Sequence, residues 1–294
     1  MNVTTIRHWI GGAVACLAWG LLLQSAHAQT GIATTKHNLG STGAAGQNKV
    51  SDTAEICVFC HTPHGAASAD APLWNKRLPN GGGYSVYDTG NSSTIDGQVL
   101  QTVGGVSITC LSCHDGTQAM DNIINAPGSG GYDATGGGAG GRAYNWGSSP
   151  RIDGGGLGIM TGVAMLGTDL RDDHPIGIEY CGGGLSGSGA NTNPGPATGA
   201  CKDVDFKQPY SATINAQGVW WVETGTVDTK RTRTDMILFS RGFTAGTGPS
   251  VECASCHDPH VSPGQPGPNS QVAGATFLRV SNNGSAVCLA CHTK

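Results

Sequence analysis

Four copies of Cys-x-x-Cys-His stand in this chain: Cys57-Val58-Phe59-Cys60-His61, Cys110-Leu111-Ser112-Cys113-His114, Cys253-Ala254-Ser255-Cys256-His257 and Cys288-Leu289-Ala290-Cys291-His292. They are called motifs one to four below. Two thiols separated by two residues lie on one short turn and can bond to the two vinyl groups along one edge of a porphyrin. The histidine that follows then points its imidazole at the iron. This is the chemistry of covalent haem c. Paired cysteine knuckles also build structural zinc sites, but zinc does not require a histidine directly after every pair. The reading is therefore four haems, attached through Cys57, Cys60, Cys110, Cys113, Cys253, Cys256, Cys288 and Cys291. His61, His114, His257 and His292 are the proximal ligands.

Six-coordinate iron needs a second axial ligand on each haem. Outside residues 1–28 the spare histidines are His37, His64, His174 and His260, one for each iron. Met120, Met160, Met165 and Met236 compete for the same role and would raise the potential. Methionine commonly fills cores, whereas the four histidines have no other evident use, so all-histidine ligation is expected. His61 and His64 are joined by a link that reaches at most ~11 Å, too short to round a porphyrin edge. His64 should thus serve a different haem from His61, and likewise His260 from His257. Sequence proximity assigns His64 to motif two and His260 to motif four, leaving His37 and His174 for the others. The stretch His61-Thr62-Pro63-His64 is repeated as His257-Asp258-Pro259-His260, which suggests two dihaem modules.

The elements that must hold these groups are sparse. Residues 1–28 read as an export signal: Arg7, an apolar run from Ile10 to Leu23 that falls short of a ~20-residue span, and Ala26-His27-Ala28 as the cleavage pattern. An uncleaved anchor, or a lipid on Cys16, is the alternative. Export leads to an oxidising compartment, so Cys181 and Cys201 are expected to form a disulfide, the alternative being two free thiols or a weak metal site. Residues 29–145 form an N-terminal dihaem module, 146–245 a glycine-rich middle segment and 246–294 a C-terminal dihaem module. With 48 glycines and 6% aromatic residues, a conventional core looks unaffordable against the backbone entropy lost on folding. The expected fold is mostly coil with a few short helices and short strands, wrapped round a core of haem. Gly218 to Gly225, with Trp220 and Trp221, has the look of a strand, and Ile237-Leu238-Phe239 is its candidate partner. Asp169, Asp172 and Asp173 read as a solvated acidic turn. The net charge of −4 comes without a basic stripe, which argues against nucleic acid as a partner, and no segment after the leader could span a membrane.

Several stretches together resemble one family: His37-Asn38-Leu39, Cys57 to Gly65, Cys110 to Gly116, His174-Pro175-Ile176, Cys253 to His260, and Phe277-Leu278-Arg279 ahead of motif four. They are similar to the tetrahaem cytochromes c of metal-reducing bacteria that polymerise into extracellular nanowires. The resemblance implies bis-histidine haems in a continuous stack, with one histidine supplied by the next subunit. It also implies an electron-transfer protein rather than an enzyme, whose partners are further copies of itself, other cytochromes and extracellular electron acceptors. A monomeric periplasmic shuttle and a multihaem oxyanion reductase are the other functions compatible with four haem motifs.

Overall fold

The computed structural model describes residues 31–294 except 68–70, 89, 91, 129, 188, 226–227 and 261–276. The leader lies outside the described residues. Among the described residues, no helix is long and apolar enough to cross a membrane.

The dominant element is an antiparallel sheet of six strands: β1 (Ile178–Glu179), β2 (Gly195–Pro196), β3 (Tyr210–Ile214), β4 (Gln217–Val222), β5 (Met236–Phe243) and β6 (Gly246–Val251). Their order across the sheet is β1-β6-β5-β4-β3-β2. Consecutive strands from β3 to β6 pair as a meander. Asn215 and Ala216 join β3 to β4 with φ of 50° and 62°, the left-handed pair that matches hairpin twist. β4 pairs with β5 through Trp220 opposite Leu238 and Trp221 opposite Ile237. The Trp220 indole N–H donates to the Ser240 hydroxyl across these strands (3.0 Å).

This sheet corrects the expected fold of mostly coil around a haem core. The chain builds its own side-chain cores. Tyr180, Trp220, Val222, Met236, Leu238 and Val280 form one under the sheet. Val86, Val99, Ile108, Leu111, Leu170 and Ile176 belong to a second. Leu39, Val50, Phe59, Met120 and Trp146 form a third. The few large residues suffice because they are concentrated: Trp220 and Trp221 are each only 1% exposed. Met120 and Met236 are buried core residues too. Strands such as Tyr-Ser-Ala-Thr-Ile and Gly-Thr-Gly-Pro-Ser-Val look like coil by composition. Cross-strand pairing, not single-strand propensity, makes them β.

Helices are short: α1 (Ser107–His114), α2 (Tyr180–Gly183), α3 (Cys253–Cys256) and α4 (Ala286–Leu289), with a 3-10 turn at Cys57–Phe59. α1 buries Ile108, Leu111 and Ser112 on one face, the i, i+3, i+4 spacing of a packed helix. It ends where Gly116 takes a φ of 69°, the left-handed stop that glycine accepts without strain. A side chain there would also strike Met165. The Cys181–Cys201 disulfide is formed. Of the acidic turn, Asp169 pairs with Arg171 at 2.7 Å on the surface.

Candidate haem-binding site

Each Cys-x-x-Cys-His motif sits on a helical turn: motif one on the 3-10 turn, two on α1, three on α3 and four on α4 running into His292. The motifs follow one another in space as in sequence. The Cys60 thiol is pushed up to about 12 by burial and by Cys113 of motif two beside it. The Cys110 thiol of motif two is pushed up by the neighbouring Cys253 thiol of motif three and by burial. The Cys291 thiol is pushed up to about 12 by burial and by Cys256.

Glu252, 2% exposed, fastens the middle of this series. Its carboxylate accepts from Ser107 at the start of α1 (2.6 Å), from Ser250 (2.9 Å) and from Arg241 of β5 (2.8 Å). Its side chain also caps α3, and Ser255 answers in a reciprocal capping box. Burial raises the Glu252 carboxyl, while Ser107, Arg241 and Ser250 oppose the shift.

The histidines are brought together in pairs. His61 faces His260 with ring centroids 6.2 Å apart and planes 16° from parallel. His174 faces His257 at 6.0 Å and 18°. His37 faces His114 at 6.3 Å, with the planes nearly perpendicular. Two metal–imidazole bonds of ~2 Å on opposite sides of one iron, with ~1 Å more from each nitrogen to its ring centre, separate axial rings by about 6 Å. Each pair joins one proximal histidine to one spare histidine. The second ring nitrogens fit the same use. His61 Nδ1 is 2.8 Å from the Pro72 carbonyl, His114 Nδ1 is 2.7 Å from that of Ala164, and His260 Nδ1 is 3.2 Å from Asp258. Such bonds hold Nδ1 as the protonated nitrogen and leave Nε2 for a metal. Burial, then the neighbouring His114, pushes His37 down to about 4, and burial lowers His114 as well. Both are therefore neutral imidazoles at neutral pH, the form that ligates. The donor set thus fits haem. Among the described residues, no three of His, Cys, Asp and Glu converge as a zinc centre requires.

The pairing corrects the assignments drawn from sequence proximity. His260 faces motif one rather than motif four. His37 and His174 face motifs two and three. His64 does not face motif two. Chain distance misleads because folding brings remote segments together: His260 of the C-terminal module meets His61 of the N-terminal one, and His37 meets His114 within the N-terminal module. Among the described residues, no imidazole lies against His64 or His292, and both are exposed. The ring against His292 is Phe206, at 4.4 Å.

His64 is held firmly from behind. Its carbonyl accepts from the Thr62 hydroxyl (2.9 Å) and from Asn125 Nδ2 (2.8 Å). Buried Asn75 in turn accepts from the Asn125 amide (2.9 Å) and donates to the carbonyls of Val58 (2.7 Å) and Asn125 (2.9 Å). Asn75, Asn125, Phe206 and Glu252 escape a reading of the sequence, because each acts by linking segments that only folding brings together. No protein-family model matches the chain, and no curated protein matches it.

Proposed function

We propose that this chain is an exported tetrahaem electron-transfer protein that conducts electrons along a homopolymer. The observation that carries the reading is the set of three imidazole pairs with centroids 6.0 to 6.3 Å apart. Nothing in ordinary side-chain packing requires histidines from distant segments to meet three times at that spacing. Haem c, when bound, supplies a reversible one-electron iron couple. The chain's own residues fix it: two thioethers per motif, a proximal imidazole from the same turn and a distal imidazole from elsewhere. His61/His260, His114/His37 and His257/His174 are the ligand pairs within one chain.

His292 and His64 supply the joint. His64 of one copy serves the iron held at His292 of the next. His64 and His292 are both exposed, and His64 of each copy meeting His292 of the next, head to tail, is a heterologous contact that propagates as a filament when its rotation does not close. A histidine–iron bond across each joint explains why the turn bearing His64 is braced by Asn125 and Asn75 while its ring faces outward. A second reading rests on the same exposed His292: with no histidine opposite, that iron would be open to a small ligand, as an oxyanion reductase needs.

Haem stoichiometry by intact mass, electron microscopy of the native protein and substitution of His64 test the proposal together. Four haems per chain, filaments in the wild type and none in His64→Ala are expected. A haem-free chain would sink the whole reading. Four haems with no filaments at high concentration would leave the shuttle, and rapid turnover of a small oxyanion would favour the reductase.

A further inference from the structure

Three of the four haem motifs share a tertiary contact that the sequence does not announce. In motif one, the Thr62 amide donates to the Leu73 carbonyl (2.8 Å) and the Asn75 amide to that of Cys60 (2.8 Å), so His61 lies in an antiparallel bridge with Trp74. In motif three, the Asp258 amide donates to Phe277 (2.8 Å) and Arg279 to Cys256 (2.7 Å), which bridges His257 to Leu278. Leu73 and Phe277 even share a left-handed φ, 55° and 59°. Motif four repeats the pattern: Thr293 donates to Asp205 (2.8 Å) and Lys207 to Cys291 (2.8 Å), bridging His292 to Phe206. A short strap thus crosses each of these three histidines.

The fourth strap has a different origin. In motifs one and three it comes from just downstream of the motif, whereas in motif four it comes from the sheet region, between β2 and β3. It is also fastened twice at its base. The Asp203 amide donates to the Cys181 carbonyl (3.1 Å), and Cys181 is bonded to Cys201. The buried Tyr180 hydroxyl reaches both sides of the bridge, donating to the Lys207 carbonyl (3.0 Å) and the Cys291 carbonyl (3.2 Å). Tyr180 meets Phe206 edge-on at 5.2 Å, and Phe206 in turn lies 4.4 Å from the His292 ring. An exposed histidine turns freely about its side-chain bonds. Holding its Nε2 on an iron demands a packed surface that limits that rotation.

We infer that residues 201–207 are the positioning strap of motif four, that Phe206 sets the orientation of the His292 imidazole, and that the Cys181–Cys201 disulfide anchors the strap to the sheet. This rests on the proposed haem function and adds the residues that govern its terminal site. Phe206 and Tyr180 are positioning residues, because they act through His292 and Cys291.

The test uses the native, matured and assembled protein with Phe206→Ala, Phe206→Leu and the double substitution Cys181→Ser/Cys201→Ser. Two readouts are needed: the spin state of the haems and hydrogen exchange at the Lys207 and Thr293 amides. Phe206→Ala and the disulfide variant should raise the high-spin signal by up to one haem in four, with all four haems still attached. Exchange at both amides should quicken at least tenfold. Phe206→Leu should recover most of both, and Trp74→Ala, over His61, should disturb a different haem. Unchanged spin states in Phe206→Ala and the disulfide variant, or unchanged exchange, would overturn the strap even if the melting temperature fell. A native protein without haem would defeat the electron-transfer proposal instead, and the exchange measurement would still decide the strap.

Discussion

Glu252 shows how much one side chain can carry at the residue scale. It joins the start of α1, the start of α3 and Arg241 of the sheet, so it sets where motifs two and three meet. Glu252→Ala would leave the mostly buried Arg241 guanidinium unpaired and should cost about 3 kcal/mol in chemical denaturation. The pH dependence has a definite sign. Burial raises the Glu252 pKa in the folded state, so folding binds this proton more tightly than the unfolded chain does. Its contribution favours folding below the ordinary glutamate pKa and is lost as pH rises through the raised one. Measured against Glu252→Gln, which cannot ionise, the wild-type chain should lose relative stability as pH rises from the ordinary glutamate pKa of about 4 through the raised one. Stability difference curves that stay flat over that range would refute the assignment.

At the scale of elements, the β3–β4 hairpin is the most exposed test of the sheet. Its turn places Ala216 at a φ of 62°, where a Cβ is strained and glycine is not. Ala216→Gly creates the Asn-Gly pair that such turns favour and should stabilise the protein by about 0.5 kcal/mol or more in thermal or urea unfolding. A loss of stability would show that the hairpin is not formed as described. The β4–β5 pairing was legible beforehand, because Val219 to Val222 with Ile237 to Phe239 are all apolar and, Leu238 apart, β-branched or aromatic. β3, β6 and the short edge strands were not. Their serine, threonine and glycine content matches that of the surrounding loops, and only registration against a neighbour distinguishes them.

For the whole molecule, the proposed function makes haem ligation depend on assembly, because among the described residues no imidazole faces His64 or His292. Dilution of the matured protein should convert one haem per chain from low-spin to high-spin as joints part, and concentration should reverse it. His64→Ala should show the same one-haem change at every concentration. Substitutions of His37, His174 and His260 should each open a different haem independently of concentration. Visible and electron paramagnetic resonance spectra across a dilution series read all of these, and a spectrum insensitive to concentration would remove His64 from the joint.

The sequence alone marked the proposed attachment points, because two thiols and an imidazole must share one turn to grip one porphyrin, and that requirement is written in five consecutive residues. It also marked His37, His64, His174 and His260 as the spare imidazoles and Cys181 with Cys201 as the surplus thiols. Tertiary structure alone decided which histidine meets which. His61 and His260 come from different modules, and His114 and His37 from distant parts of one module, and no local spacing encodes either meeting. Tertiary structure also decided that the glycine-rich middle contains a sheet. The burial of Trp220, Trp221 and Leu238 against remote partners outweighs the coil-like composition of the strands between them, and that energy exists only once the strands are assembled.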